Sequence, residues 1–135
     1  MPSTSDTLDA FDPTDIDIDV VTTYLPRHSR PDEGHYTFAY TVTISNLGNQ
    51  PVQLLSRYWR ITDSDNSVNE VRGDGVVGEQ PIIAPGASFR YTSGTNLGTA
   101  VGYMEGAYYF IYGENETEFE APIPAFSLHT PTSVH

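Results

Sequence analysis

Residues 71–94 read VRGDGVVGEQPIIAPGASFRYTSG, and how this stretch folds decides the class of the whole chain. It carries Gly-x-Gly-x-x-Gly at Gly73, Gly75 and Gly78. In a dinucleotide-binding α/β domain such a triplet follows a strand and opens a helix, whose free N-terminal amides meet the pyrophosphate. Here Pro81, Pro85 and Gly86 all fall within eight residues of Gly78. Proline removes backbone donors and breaks a helix, so no helix starts at this point. The glycines are expected to form a bend between strands.

Outward from the bend, the pattern has a period of two. Asp15 to about Tyr24 alternates aspartate with Ile16, Ile18 and Val20, as a half-buried strand does. After RHSRPDEG, the segment His35–Ser45 puts Tyr36, Phe38, Tyr40, Val42 and Ile44 on one face and Thr37, Ala39, Thr41 and Thr43 on the other. Asn46–Pro51 turns the chain into a third strand, Val52–Thr62, where Leu55, Trp59 and Ile61 are expected to share the inner face. Shorter strands are expected at Val68–Arg72, Ala87–Ser93 and Ala107–Tyr112. Gly98–Gly106 reads as a connection that contributes Val101 and Met104 to the core. The last strand, Glu116–Leu128, contains Pro122 and Pro124, which belong on a sheet edge or at a bulge. Seven or so short strands without helical periodicity predict an antiparallel β-sandwich of immunoglobulin or fibronectin type III type, with no disulfide.

The length of 135 residues predicts a single core, over residues 15–128, flanked by an acidic, flexible N-terminal tail (1–14, with Leu8 and Phe11 as its large apolar groups) and a C-terminal tail (129–135). The chain has no cysteine, which excludes disulfides, thiolate metal sites and cysteine nucleophiles and favours a reducing cytoplasm. The N-terminus lacks the basic and apolar regions of a signal peptide, and no run is long and apolar enough for a membrane span. A net charge of −12, from 18 acidic and 6 basic residues, repels phosphate backbones and argues against nucleic acid as a partner.

Several blocks together resemble the bacterial ApaG family: FAYTVTISNLG (38–48), PVQLLSRYWRITD (51–63), RGDGVVGEQPIIAPG (72–86), YTSG (91–94), GYMEGAYYF (102–110) and IPAFSL (123–128). The similarity runs from about Asp15 to His135; the acidic N-terminal extension lies outside the family's shared core. The resemblance implies a fibronectin type III-like sandwich and an association with cobalt and magnesium tolerance. It also implies a gene often neighbouring a diadenosine tetraphosphate hydrolase, and kinship with recognition modules beside eukaryotic F-box or polymerase-partner sequences. In that family the loop matching Gly73–Gly78 has been likened to a pyrophosphate-binding turn.

Three readings of the segment Arg72, Gly73, Asp74, Gly75, Val76, Val77 and Gly78 follow. Consecutive amides in a glycine-rich turn can cup an anion without a helix, although Asp74 and Glu79 oppose it and Arg72 is the counter-charge at hand. The glycines can instead serve close packing and positive φ. The exposed loop can also dock a protein partner, together with Tyr58, Tyr91 and Tyr109 if these face outward. Weak Mg²⁺ or Co²⁺ binding is conceivable if Asp15, Asp17 and Asp19 on the first strand lie beside Glu114, Glu116, Glu118 and Glu120 leading into and along the last. Asp63, Asp65 and Asn66 resemble the start of a calcium loop, but Val68 and Asp74 stand where that loop needs glycine and glutamate, so a hairpin turn is expected. His28, His35, His129 and His135 have no zinc-like spacing, and Ser93 lacks a nucleophile-elbow context. A non-catalytic binding or adaptor domain is expected, with no obligatory cofactor. A homodimer through an edge strand is also open.

Overall fold

The computed structural model describes residues 10–133. Leu8 and the rest of 1–9, with His135, lie outside the described residues. Within them the strands are β1 (Ile16–Tyr24), β2 (Tyr36–Asn46), β3 (Val52–Asp63), β4 (Val68–Asp74), β5 (Ile82–Ile83), β6 (Ser88–Leu97), β7 (Val101–Tyr112) and β8 (Thr117–His129). Two antiparallel sheets face each other, one in the order β1-β2-β6 and the other β4-β3-β7-β8, with β5 continuing along the β4 side of β3. The sandwich expected from the alternation is the fold that forms.

Alternation decides what is buried. Phe38, Tyr40, Val42 and Ile44 of β2 are buried on the face that meets Trp59, Tyr108 and Phe110 of the other sheet. Trp59 is 2% exposed, and the rings of Tyr40, Tyr108 and Phe126 stand edge-on around it at 5.3, 6.1 and 5.8 Å between centroids. Such edge-to-face contacts are favoured by the ring quadrupoles. One buried polar group ties the two sheets at the first crossover. Asn46 donates from Nδ2 to the carbonyls of Gln50 and Ile83, each at 2.9 Å, while its Oδ1 accepts from the Gly48 amide.

Four expectations are corrected. Leu55 is not the inward residue at the start of β3; Leu54 is, because one extra residue is inserted opposite β7 between Leu54 and Ser56. Gly98–Gly106 is not a connection, since β7 runs unbroken through Val101–Tyr112; Met104 is buried but Val101 is exposed. Gly102 and Gly106 belong inside that strand because a Cβ at either would overlap the carbonyl oxygen of Thr62 or Tyr58. The first and last strands are not hydrogen-bonded neighbours: β1 pairs with β2 and β8 with β7, so they are edges of different sheets. Pro122 and Pro124 lack the N–H groups that a second partner for β8 would need, and β8 is both an edge and irregular opposite Met104–Gly106.

The fourth correction concerns Phe11, assigned from composition to a tail. It is 6% exposed and packs against Tyr112 and Phe119, with centroids at 5.6 and 5.2 Å. Gly48 makes room for it, as a Cβ there would enter the ring. Asp12 holds the chain in place behind it by accepting from the Thr14 amide at 2.9 Å and its hydroxyl at 2.7 Å. Phe11→Ala is therefore expected to lower the unfolding free energy by about 3 kcal/mol, as phenylalanine truncations in packed cores do, in urea denaturation followed by tryptophan fluorescence.

Candidate functional site

The inserted residue in β3 changes which side chains face inward. Before it Val52 and Leu54 point to the core; after it Trp59 and Ile61 do, and so does Arg57. An arginine on the inner face needs acceptors. Arg57 Nη1 donates to the carbonyls of Asp74 at 3.0 Å and Gly75 at 2.9 Å. Gly73 lies opposite Arg57 in the ladder, and its missing side chain leaves room for the guanidinium. The sequence reading named Arg72 as the basic group near the loop and missed Arg57. Nothing in the local sequence marks an insertion that turns Arg57 inward.

The loop itself is a closed β corner. Gly75 donates to the Leu55 carbonyl at 2.7 Å, and the Gln80 side chain donates to the same oxygen at 3.0 Å. Leu54 donates in turn to Pro81, so the excursion from Gly75 to Pro81 is clamped at both ends on Leu54 and the inserted Leu55. Val76 and Glu79 exchange backbone bonds of 2.8 and 2.9 Å around a two-residue turn with Val77 at φ 44° and Gly78 at φ 81°. Two successive positive φ angles are those of a type I′ turn, which favours Asn-Gly. A β-branched residue at Val77 is strained there. Gly75, at φ 61°, has no room for a Cβ against Glu79. The amides of Gly75, Val76 and Glu79 are thus consumed within the protein, and the carbonyls of Asp74 and Gly75 face the one nearby guanidinium. This is the opposite of an anion-binding cup, in which amides converge on an empty centre.

The even-numbered residues of β3 beyond the insertion face out. Tyr58 is flanked by Arg72, whose guanidinium carbon lies 4.2 Å from the ring centroid, and by Glu70, which accepts a hydrogen bond from its hydroxyl. That bond holds the Tyr58 phenol above its ordinary pKa. Beside it runs a shallow groove of about 370 Å³ with Gly106 and Ala107 as its floor and Tyr58, Arg60, Tyr109 and Glu120 on its rim. Arg60 faces Glu105 and Tyr109 faces Glu120 across the ladders. Of the three tyrosines singled out from sequence, Tyr58 and Tyr109 line this outer face, and Tyr91 does not.

Tyr91 is buried and its hydroxyl bonds to that of Tyr108 between the sheets. Burial pushes both phenols far above their ordinary value of 10.0, and for Tyr108 the neighbouring Tyr91 adds to it. Tyr40 is raised by burial as well, and Ser93, on the same interior side, bonds to it.

The acidic residues proposed as a weak cation site are not brought together. Asp17 and Asp19 point outward from the β1 sheet, while Glu118 and Glu120 point outward from the β8 sheet, on the opposite side of the sandwich; Asp15 ends the turn before β1. Among the described residues no group of three His, Cys, Asp or Glu side chains is placed to hold a metal ion. Asp63, Asp65 and Asn66 form the β3–β4 hairpin turn, with Asp65 accepting from the Ser67 amide and Asp63 from the Gly98 amide. His28 and His35 lie in the β1–β2 connection and His129 ends β8.

A family model described as the ApaG domain matches residues 26–112. The chain belongs to the ApaG family. It is 50% identical over 120 residues to Protein ApaG of Dechloromonas aromatica, covering 89% of this chain and 94% of that one. It is 53% identical, with the same coverage, to Protein ApaG of Pseudomonas aeruginosa. Among solved structures, the X-ray structure of structural genomics target SoR45 superposes with a TM-score of 0.85 at 43% identity, over 91% of this chain and 92% of that one. A Bordetella pertussis crystal structure described as ApaA gives 0.85 at 46%, over 93% and 98%. The C-terminal domain of wzt, at 11% identity and a TM-score of 0.52, over 89% of this chain and 75% of that one, shares the fold. The ApaG match takes in β2 to β7, and with them both the glycine corner and the outer face of β3.

Two expectations follow. Arg57→Ala removes both bonds to the corner, so amide exchange at Gly75, Val76 and Glu79 should accelerate, with a global loss of about 2 kcal/mol or less, typical of a charged donor. Separately, the buried phenols stay neutral in the folded state but ionise near pH ~10 when unfolded. Their contribution is complete below that pH and lost as pH rises toward the raised folded values. Urea titrations should show stability falling above about pH 10 by up to about 1.4 kcal/mol per pH unit per phenol, and a shallower fall in Tyr91→Phe/Tyr108→Phe.

Proposed function

We propose that this domain is a non-catalytic recognition module of the bacterial cytoplasm that acts on cobalt and magnesium homeostasis by binding a protein partner. The observation that carries the reading is the outer face of β3 and its neighbours. Tyrosine and arginine are the residue types that dominate interface cores, and here Tyr58, Arg60, Arg72 and Tyr109 stand together on a rigid sheet with a shallow groove between them. Glu105 and Glu120 at the same groove give it both signs of charge, which suits a polar, sequence-selective partner surface more than a polyanion. Strands hold side chains more exactly than loops do, so the face needs little ordering on binding.

The glycine corner serves this face from behind by fixing β3 at the inserted residue. A pyrophosphate reading of the loop is less favoured, because three of its amides already have acceptors and both carbonyls turned toward Arg57 repel an anion. Any part in cation export is indirect, since among the described residues no helix is long and apolar enough to cross a membrane.

Complementation tests the reading. In a bacterium deprived of its ApaG gene and sensitised to cobalt, the full chain should restore growth, whereas Arg60→Glu/Tyr109→Ala, folded by tryptophan fluorescence, should fail to do so. Full rescue by that variant overturns the assignment. In backbone amide spectra, Mg²⁺, Co²⁺, ATP and a diadenosine polyphosphate should leave Gly73–Gly78 unmoved; shifts there with nucleotide favour the phosphate site instead.

A further inference from the structure

We infer that β4 is a self-complementary edge through which two copies of this chain join in antiparallel register about Val71. The four sheet edges differ in how far they invite a partner. β1 presents Asp17 and Asp19, which a two-fold pair would set near their own copies, and β8 carries Pro122 and Pro124 without amide donors. β6 bears Arg90 and no acidic residue to answer it. β4, by contrast, is an unbroken run of seven residues, VNEVRGD, exposed along nearly its whole length and free of proline and lysine.

The hydrogen-bonding parity of this edge is fixed by two bonds at its ends. Asp63 donates to the Ser67 carbonyl and Gly75 donates to the Leu55 carbonyl, so odd-numbered residues from 67 to 75 turn their backbone groups toward β3. The even residues Val68, Glu70 and Arg72 therefore present their N–H and C=O groups outward, free for another strand, whereas the Asp74 carbonyl is already held by Arg57 Nη1. A two-fold axis through a residue keeps even opposite even, while an axis between residues opposes even to odd and leaves the groups unmatched.

Charge then selects the centre. With the axis at Val71, Glu70 faces Arg72 of the second copy and Arg72 faces its Glu70, as hydrogen-bonded pairs, and each of the seven residues lies opposite one of the second copy. Shifting the axis to Glu70 opposes glutamate to glutamate. Shifting it to Arg72 opposes arginine to arginine and Glu70 to Asp74. At Gly73 only three residues overlap. The Val71 axis also sets the two Val71 side chains against each other as a closely spaced pair. Val71 is 41% exposed, although it lies on the inward face of its sheet, because the three-stranded sheet does not reach over β4. Pairing covers it and joins the two outer faces into one continuous surface with Tyr58 and Arg72 near the seam.

The test uses the full chain. The net charge of −12 opposes association at low ionic strength, so masses are measured by sedimentation at about 0.15 M salt, where the screening length is about 8 Å, up to millimolar concentration. A dimer is expected. Glu70→Arg places like charges opposite each other at two symmetric positions and should raise the dissociation constant by about tenfold or more, while E70R/R72E should restore it. The chain has no cysteine, so V71C should form a disulfide-linked dimer on oxidation, and V68C, which faces Asp74, should not. A monomer at every concentration, a dimer indifferent to E70R, or equal cross-linking of V68C and V71C overturns the proposal.

Discussion

The single residue inserted at Leu55 sets the arrangement of everything described on this protein. A strand shows its residues alternately to its two faces, so one extra residue exchanges the faces from that point on. Without it Tyr58 and Arg60 would point into the core, while Trp59 and Arg57 would point to solvent. With it, Trp59 reaches the centre of the aromatic cluster and Tyr58 and Arg60 reach the outer surface. The insertion also frees the Leu55 carbonyl, which caps the glycine corner twice. Core, corner and the outer face of tyrosines and arginines are thus consequences of one local irregularity.

The glycines support that irregularity in different ways. Gly73 leaves space for the guanidinium that the insertion turns inward, Gly75 lets the chain leave β4 under the Glu79 carbonyl, and Gly106 admits the Tyr58 carbonyl opposite the outward-facing ring. A spacing that in an α/β protein describes the approach of backbone to a phosphate here describes the approach of backbone to backbone. What distinguishes the two is where the amides go, and in this corner those of Gly75, Val76 and Glu79 go to carbonyls of the same chain.

The strands whose faces differ strongly in polarity were legible. β2 alternates aromatic or branched residues with threonine and alanine, and its inner face is read directly from the sequence; the edge position of the last strand was legible from prolines that cannot donate to a second partner, and Trp59 from its place in the apolar alternation. Features that depend on a partner element were not. The insertion leaves no mark in PVQLLSRYW, since Leu54 and Leu55 are chemically equal and only the pairing with Phe110 and Tyr109 decides between them. Gly102 and Gly106 read as loop residues because their packing partners are distant in sequence. Phe11 sits among polar residues, and its burial depends on a ring-sized gap over Gly48 and between Tyr112 and Phe119. Of the candidate site, the loop was located, but its anchor Arg57 was hidden by the same shift of face, and the acidic rows were misjudged because sheet membership is a tertiary property.

The strain at Val77 bears on what the corner is for. Asparagine at that position would adopt the positive φ with less penalty, and the residue is 53% exposed, so the core does not require valine. The conformation survives because it is over-determined: Val76 is fully buried on one side, Glu79 returns both backbone bonds on the other, and Arg57 fixes the approach through Asp74 and Gly75. A turn held this firmly cannot open to admit a ligand among its amides without releasing all of these contacts together. It can present Val77 in one fixed place. The corner is therefore suited to being a rigid support and a shaped apolar point at the end of the sheet, and poorly suited to being a flexible loop that closes over a nucleotide.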